Sequence, residues 1–266
     1  MIFNCLSIAG TDPSGGAGMQ ADLKTFSALG TYGMSITTAV VAQNTQGVAE
    51  IHQLSGAFVA KQMEVLLNDV RVDSVKIGML GTAEVIEAVA AVLRKYRLRY
   101  IVLDPVMVAT SGDPLLSPDA IQALRHELLP LVDLVTPNLA EGAKLLDEGD
   151  ASTEEEMLDQ LDQLEQLCPG VLIKGGHLEG RHSIDFLRID GVTTRLEAPR
   201  VATQNTHGTG CTLSAAIAAL RPQRPDWLSA VSDSKEYLTK ALRESHALHV
   251  GQGHGPVHHF HESWSK

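Results

Sequence analysis

The chain has 266 residues, of which 44% are hydrophobic and 20% charged, so it is long enough for one large domain with a substantial core. Its 32 acidic residues outnumber its 21 basic residues, which gives a formal net charge of -11. Nucleic acid and anionic membranes attract clusters of lysine and arginine, and the sequence has no such run, so both are poor candidates for a partner.

The apolar stretches and the cysteines give a first expectation about location. No apolar stretch approaches the roughly 20 residues that a membrane-spanning helix needs. The start of the chain lacks the basic region that is typical of a secretory signal. The cysteines, Cys5, Cys168 and Cys211, lie far apart, and such a sparse, odd set argues against a disulfide framework. We therefore expect a protein of the reducing cytoplasm.

Strand-like and helix-like segments alternate along the chain, with glycine or proline at many of their boundaries. In chain order we predict a strand at 3–9, a helix at 19–29, a strand at 35–42, a helix at 58–70, a strand at 75–79, a helix at 83–96, a strand at 100–103, a helix at 118–129, a strand at 134–136, helices at 139–146 and 153–167, a strand at 171–173, a hairpin at 184–189 and 193–196, and helices from 209 and from about 228. This alternation predicts an α/β fold with a mostly parallel sheet covered on both faces. We find no internal repeat or linker, so a single domain is expected to span residues 1–266.

Residues able to contact a ligand follow several of the predicted strands directly. Ligands of parallel α/β sheets bind beyond the carboxyl ends of the strands. The residues at those ends are Gly10, Gln43, Met79, Asp104, Asn138 and Lys174. Their recurrence at strand ends predicts that they share one cleft.

The stretch 206–212, Thr-His-Gly-Thr-Gly-Cys-Thr, is a glycine-rich turn that opens into an apolar helix. The first N–H groups of a helix lack intrahelical partners, its N-terminal end is positive, and glycines allow a ligand to approach the backbone. We therefore interpret Gly208 and Gly210 as an anion site for a phosphate or for the charge that develops in phosphoryl transfer, with the Cys211 thiol in the same field. The alternative is a tight loop whose glycines serve packing only.

The glycine-rich loop at 10–18 can be compared with two nucleotide-binding fingerprints. A P-loop needs Lys and Ser or Thr after its last glycine, whereas Met19 follows Gly18. The stretch 16–21 matches G-x-G-x-x-A after a strand, as in dinucleotide oxidoreductases. That interpretation requires an acidic residue about 20 positions further on. No Asp or Glu lies between Asp22 and Glu50, so the dinucleotide site is disfavoured.

Two carboxylates follow later strands and allow two interpretations. Asn138 can cap the helix at 139–146, and Glu141 can complete a capping box. In the functional interpretation Asp104 and Glu141 hold Mg²⁺ directly or through water. Since Mg²⁺ keeps several waters and takes few protein ligands, two acids suffice.

Three further side chains each have a structural alternative. Asp22 either accepts a hydrogen bond from a substrate hydroxyl or is a helix N-terminal acid favoured by the dipole. The amide of Gln43 either binds the edge of a heterocycle through its donor and acceptor or is a polar strand end. Lys174 either reaches nucleotide phosphates or is a solvated loop lysine.

The histidines at 258, 259 and 261 raise the question of a metal site near the C-terminus. Without partners at ligand spacing elsewhere, three histidines are weak evidence, so we do not predict a metal there.

With these residues in view, the chain resembles the hydroxymethylpyrimidine/phosphomethylpyrimidine kinases of the ribokinase-like superfamily nearly from end to end. The resemblance is carried by the stretches 9–25, 41–45, 76–80, 104–107, 136–141, 174–177, 205–212 and 253–259. It implies a three-layer α/β/α fold, ATP and Mg²⁺ as cofactors, and a small pyrimidine as substrate. It also implies two ATP-dependent steps, on 4-amino-5-hydroxymethyl-2-methylpyrimidine and then on its monophosphate.

The resemblance further implies a role for each matching residue. In the family, the residue matching Gln43 binds the pyrimidine edge, and those matching Asp22 and Met79 help line that pocket. The remaining implied roles are an anion hole at Gly208 and Gly210, an ATP side at Lys174 and Asn138, and a magnesium-linked acid at Glu141. The superfamily often dimerises, so a homodimer is expected.

Cys211 stands where sugar kinases of the superfamily usually carry an aspartate base. A free thiol has a pKa of about 8.5, and a helix N-terminus lowers it, so we expect a lowered pKa here. Our hypothesis is that Cys211 accepts the hydroxyl proton in the first step. The second step, with a phosphate already largely ionised as nucleophile, should depend less on the thiol.

Two other functions stay open from the sequence. A pyridoxal or pyridoxine kinase has the same fold and phosphorylates a similar flat ring that bears a hydroxymethyl group. A catalytically silent pyrimidine-binding protein is the alternative from another class, and the intact stretch at 208–211 with Glu141 and Lys174 argues against it.

Overall fold

A computed structural model describes residues 1–108, 112, 115–176, 178 and 180–264. The strands are β1 (Asn4–Ala9), β2 (Tyr32–Thr37), β3 (Ala39–Asn44), β4 (Gly47–Gln53), β5 (Ser74–Ile77), β6 (Ile101–Leu103), β7 (Leu134–Val135), β8 (Gly170–Lys174), β9 (His182–Ile189) and β10 (Val192–Pro199). The α-helices are α1 (Gly18–Ala28), α2 (Gly56–Leu67), α3 (Ala83–Tyr96), α4 (Pro118–Ala123), α5 (Leu139–Leu146), α6 (Glu154–Leu164), α7 (Thr209–Leu220) and α8 (Trp227–Arg243). Every predicted helix is present, although a π-helical turn, Leu124–Leu128, continues α4.

An eight-stranded sheet runs in the order β10-β9-β8-β7-β6-β5-β1-β2. The strands from β8 to β2 in this order pair in parallel, and β9 and β10 add an antiparallel edge. The turn between β9 and β10 has positive φ at both Asp190 and Gly191, as the tightest hairpin turns require. The mostly parallel sheet and this hairpin confirm the predictions.

Helices cover both faces of the sheet because side chains along each strand alternate between two cores. Leu6, Ile8 and Ile77 belong to one core, with apolar residues of α2, α3 and α6. Cys5 and Val102 belong to the other, with apolar residues of α1, α7 and α8. The predicted three-layer α/β/α arrangement is confirmed. Among the described residues, no helix is both long enough and apolar enough to cross a bilayer.

The predicted strand at 35–42 is wrong in one respect, because it is divided between two sheets. The chain leaves the main sheet at Thr38, whose N–H donates to the Ala9 carbonyl and whose hydroxyl donates to the Met79 carbonyl. The chain continues as β3, which pairs only with β4 in a separate antiparallel hairpin. We did not predict β4, since none of its side chains is fully buried and no apolar face marks it.

Helix α7 lies between the sheet and its neighbours α1 and α8 and is buried from Thr212 to Leu220. Five of these nine residues are Ala or Ser, which allows the surrounding elements to approach closely. A helix that is buried on all sides is held firmly, so its N-terminus has a fixed position relative to the strand ends.

Candidate active site

A cleft of about 1390 Å³ opens at the carboxyl ends of the central strands. It brings together nine of the ten residues that we singled out as site residues, namely Gln43, Met79, Asp104, Asn138, Glu141, Lys174, Gly208, Gly210 and Cys211. A parallel sheet explains this convergence, because the carboxyl ends of its strands share one edge. His177, at the end of the motif that starts at Lys174, lies outside the described residues.

Asp22 is the exception and corrects our expectation that it lines the pocket. Its side chain is fully buried in α1, below the floor of the cleft. It accepts a hydrogen bond from the Ser7 hydroxyl at 2.6 Å and one from Lys76 Nζ at 2.9 Å. Both bonds are accepted by Oδ2, and Oδ1 is buried without a hydrogen-bond partner among the described residues, so in this structure the carboxylate does not reach the surface of the cleft.

Lys76 is a cleft residue that our reasoning from the sequence missed. It is fully buried in β5, lies opposite Ser7 of β1, and reaches the wall of the cleft. Burial works against its charge, but interactions with the acidic groups Asp22, Cys211 and Asp104 outweigh burial and raise the pKa of Lys76. The sequence did contain a signal for this residue, namely a lysine inside the apolar run of β5. Buried lysines are rare unless they are paired with an acid, so such a lysine predicts a partner.

The acceptor side of the cleft contains Gln43 and Met79. Gln43 lies in β3 where the register with β4 shifts, and such a bulge re-aims side chains. Met79 follows β5, and its sulfur would lie 3.2 Å from a Cβ on Gly10, so glycine leaves the room that this methionine occupies. Both side chains are half-buried and line the cleft.

The turn before α7 is fitted against the loop at 10–18. Gly208 is the N-cap of α7 with a φ of 74°. A Cβ on Gly208 would collide with the carbonyl oxygen of Gly16, so this close approach requires glycine. A Cβ on Gly210 would lie 3.3 Å from Asp104 Oδ2 and 3.4 Å from Lys174 Nζ, which places the first turn of α7 directly over the charged floor. The first amides of α7 thus face the position suited to a phosphoryl group.

Lys174 bridges the two carboxylates that we predicted as magnesium ligands. Its Nζ lies 3.0 Å from Asp104 Oδ1 and 3.9 Å from Glu141 Oε2. The capping alternative also holds, because Asn138 and Glu141 exchange both hydrogen bonds of a capping box. Burial raises the pKa of Glu141 to about 7, with Lys174 opposing and Asp104 adding to the effect. Glu141 therefore has two roles, as part of a helix cap and as an acid at the cleft.

These two carboxylates fit Mg²⁺ by donor chemistry. Both are oxygen donors of the kind that Mg²⁺ prefers, and this ion keeps most of its shell as water and substrate phosphate. The described residues contain no group of three or more His, Cys, Asp or Glu side chains that could hold a metal fully. A cation held by few protein ligands is consistent with that finding.

Cys211 lies half-buried in the first turn of α7, and the backbone amide of Gly18 lies close enough to lower the pKa of its thiol. Burial raises the pKa of this thiol to about 11, although Lys76 lowers it. Asp22 and Asp104 add to the increase. The expected lowering of the pKa is therefore wrong, because the sequence showed the helix terminus but neither the burial of the thiol nor the two carboxylates nearby.

In the C-terminal segment, residues 248–264, His259 contacts α7, and among the described residues the histidines form no metal cluster. His259 Nε2 lies 3.1 Å from the Thr212 hydroxyl, and Tyr237 donates to the His259 carbonyl at 2.7 Å. Burial lowers the pKa of His259 to about 3, so its ring is neutral.

Comparisons with known proteins agree with this geometry. The family model described as phosphomethylpyrimidine kinase matches residues 12–258. The hydroxymethylpyrimidine/phosphomethylpyrimidine kinase of Escherichia coli is 55% identical over 263 residues, which cover 98% of this chain and 99% of that protein.

Solved structures also superpose on the chain. The phosphomethylpyrimidine kinase of Clostridium difficile is 39% identical with a TM-score of 0.80, covering 90% of this chain and 99% of that one. A pyridoxal kinase from Staphylococcus aureus, in complex with AMP-PCP and pyridoxal, is 33% identical with a TM-score of 0.90. That match covers 99% of this chain and 95% of the pyridoxal kinase. These likenesses confirm the ribokinase-like fold.

Proposed function

The chain belongs to the phosphomethylpyrimidine kinase family, and from this premise we infer that it is an ATP-dependent kinase of thiamine biosynthesis. It phosphorylates 4-amino-5-hydroxymethyl-2-methylpyrimidine and then the resulting monophosphate to the diphosphate. The observation that carries this conclusion is the full-length match to kinases of this name, together with a glycine-rich helix N-terminus set over a lysine and two carboxylates.

The nucleotide side of the cleft is assigned to Lys174 and Asn138. Lys174 has the position and charge to hold ATP phosphates, and its pKa is raised because Asp104 and Glu141 outweigh its burial. Asp104 and Glu141 would hold Mg²⁺, mostly through water, and this ion neutralises phosphate charge when bound. The amides at Gly208 and Gly210 stabilise the charge on the phosphoryl group during transfer.

The acceptor side is assigned to Gln43, Met79 and Cys211. The amide of Gln43 offers a donor and an acceptor to the aminopyrimidine edge, and Met79 packs against the ring. As the bond between the ring hydroxyl oxygen and the γ-phosphorus forms, the bond from that phosphorus to the ADP oxygen breaks, and the hydroxyl proton passes to Cys211 Sγ in its thiolate form. Phosphoryl transfer through a loose transition state needs positioning more than early proton removal, so a scarce thiolate is compatible with catalysis.

The first experiment is a coupled assay that follows ADP formation with Mg²⁺, ATP and the hydroxymethylpyrimidine. Pyridoxine is tested in a parallel well, and products are resolved by mass. Appearance of the monophosphate and then of the diphosphate supports the proposal. Pyridoxine phosphate as the dominant product would instead assign the enzyme to vitamin B6 metabolism, and ring binding without turnover would indicate a silent binding protein.

Location, assembly and domain organisation are part of the same proposal. We place the enzyme in the reducing cytoplasm, which is consistent with three free cysteines. We propose one domain over residues 1–266 and a homodimer, in keeping with the resemblance to the superfamily. Sedimentation equilibrium against a mass of 28.5 kDa per chain measures the assembly.

A further inference from the structure

Asp12 lies at the centre of the loop at 10–18 and joins it to the turn before α7. Its carboxylate accepts hydrogen bonds from the Ser14, Gly16 and Ala17 amides at 2.7 to 3.1 Å. The same carboxylate is 2.8 Å from His207 Nε2 through Oδ2. One buried side chain thus holds both loops that meet at the anion hole.

The His207 ring is confined on its other sides as well. A Cβ on Gly16 would lie 2.6 Å from His207 Cδ2, so the ring packs directly on the glycine backbone. The backbone N–H of His207 donates to the Gly255 carbonyl at 3.0 Å, so the C-terminal segment also holds the main chain at His207. The ring therefore has little freedom to move without moving Gly208, the next residue.

The two loops joined in this way carry different parts of the transfer machinery. Gly18, next after Ala17, lies close enough to Cys211 for its backbone amide to lower the pKa of the thiol. Gly208, next after His207, begins the anion hole. The Asp12–His207 contact consequently relates the position of the thiol to the position of the amides that receive the phosphoryl group.

We propose that Asp12 and His207 are positioning residues of the phosphotransfer site, which align the anion hole with Cys211 by holding the two loops together. The inference rests on the proposed roles of Cys211 and of the amides at Gly208 and Gly210. Alignment of reacting groups affects turnover more than binding, and a displacement of about 1 Å can cost on the order of 100-fold in rate.

The test compares His207→Leu with His207→Gln in both phosphorylation steps. Leucine fills the space but cannot reach Asp12 with a polar atom, whereas the glutamine amide keeps an N–H donor. For His207→Leu we expect kcat to fall by about 10- to 100-fold in both steps, with KM for ATP and pyrimidine within about threefold. His207→Gln should recover most of that loss.

His261→Leu is the matched control, because it removes another buried imidazole, one that lies in the C-terminal segment outside the cleft. It should leave kcat unchanged. Melting temperatures of all variants show whether each is folded.

Three results would overturn the proposal: a folded His207→Leu variant with wild-type kcat, a rise of KM at constant kcat, or a His207→Gln variant as slow as His207→Leu. The wild-type enzyme is measured in the same assay. If the wild type does not turn over the pyrimidine, the proposed function is wrong. If it does, these three results bear only on the positioning role of Asp12 and His207.

Discussion

Cys211 shows how strongly the surroundings of one side chain decide its chemistry. With a thiol pKa raised to about 11 by burial, the group is almost entirely protonated at neutral pH, so only its small thiolate fraction can accept the hydroxyl proton during phosphoryl transfer. For Cys211→Ala we expect kcat of the first phosphorylation to fall by about 100-fold or more, within the usual contribution of a general base. The second step should fall much less, because its phosphate nucleophile is already ionised. Single-turnover assays of each step measure both effects.

The buried thiol of Cys168 provides the control, since it lies in the core away from the cleft. Cys168→Ala should leave kcat of both steps near the wild-type value. An equal loss in both steps for Cys211→Ala would contradict the base role, and so would full activity in the first step.

Asp12 gives a prediction about pH and stability. Burial would raise its pKa, but the hydrogen bonds from His207, Ser14 and Ala17 outweigh burial and hold the pKa well below its usual range. A lowered pKa in the folded state adds stability above the unfolded pKa of about 3.9, and that stability is lost as the pH falls. Asp12→Asn should therefore lower the free energy of unfolding by about 2 kcal/mol or more at neutral pH.

Urea denaturation at a series of pH values checks this prediction. The difference between wild type and Asp12→Asn should shrink as the pH falls below about 4, because the Asp12 carboxylate of the unfolded chain then takes up a proton while that of the folded chain stays ionised. If the difference in the free energy of unfolding stayed constant over the whole pH range, the charge of Asp12 would not contribute to stability.

At the scale of elements, the start of α7 depends on glycine for two separate reasons. Gly208 has a φ of 74°, and a Cβ there would also collide with the Gly16 carbonyl. Gly208→Ala should therefore displace the helix N-terminus and lower kcat in both steps by about 100-fold, as misplaced catalytic groups do. Steady-state kinetics with both substrates measures this loss.

Gly191 offers a matched control, because its φ of 72° is almost the same while a Cβ would meet no atom within 4 Å. Gly191→Ala carries the same backbone strain of about 1–2 kcal/mol but lies in the β9–β10 turn. Its kcat should be unchanged. If both variants lost activity equally, strain alone would explain the result and the contact with Gly16 would be irrelevant.

The elements also show what the sequence could and could not predict. Asp104, Asn138 and Lys174 were found because strand ends of a parallel sheet converge, and that rule needs only the order of strands. The Asp22–Lys76 pair was not found, because it depends on which strand residues face α1 across the sheet. The pKa of Cys211 was wrong for a similar reason, since desolvation and neighbouring charges follow from packing between segments distant in the sequence.

At the scale of the whole molecule, the C-terminal segment connects the two halves of the site. It contacts the β3–β4 turn through Thr45, the anion-hole turn through His207, and α8 through Tyr237. Tyr237→Phe leaves the buried His259 carbonyl without its donor, so we expect the free energy of unfolding to fall by about 1–3 kcal/mol. Chemical denaturation of the full chain measures this change.

Tyr96→Phe is the control, because it removes a similar hydroxyl contact, with Asn68, at an exposed position. Tyr96→Phe should lower the free energy of unfolding by less than about 0.5 kcal/mol. A loss for Tyr237→Phe no larger than this would mean that the C-terminal segment adds little to the stability of the molecule.

The separate hairpin of β3 and β4 has a consequence for how such enzymes diversify. Gln43, which we assign to ring recognition, belongs to this hairpin, whereas Lys174 and Cys211 belong to the main sheet and to α7. Substitutions in the hairpin can change the accepted ring without altering a single backbone hydrogen bond of the main sheet. In evolutionary terms, we expect that a new ring preference can arise by substitution at Gln43 while Lys174 and Cys211, and with them the phosphoryl transfer, are retained.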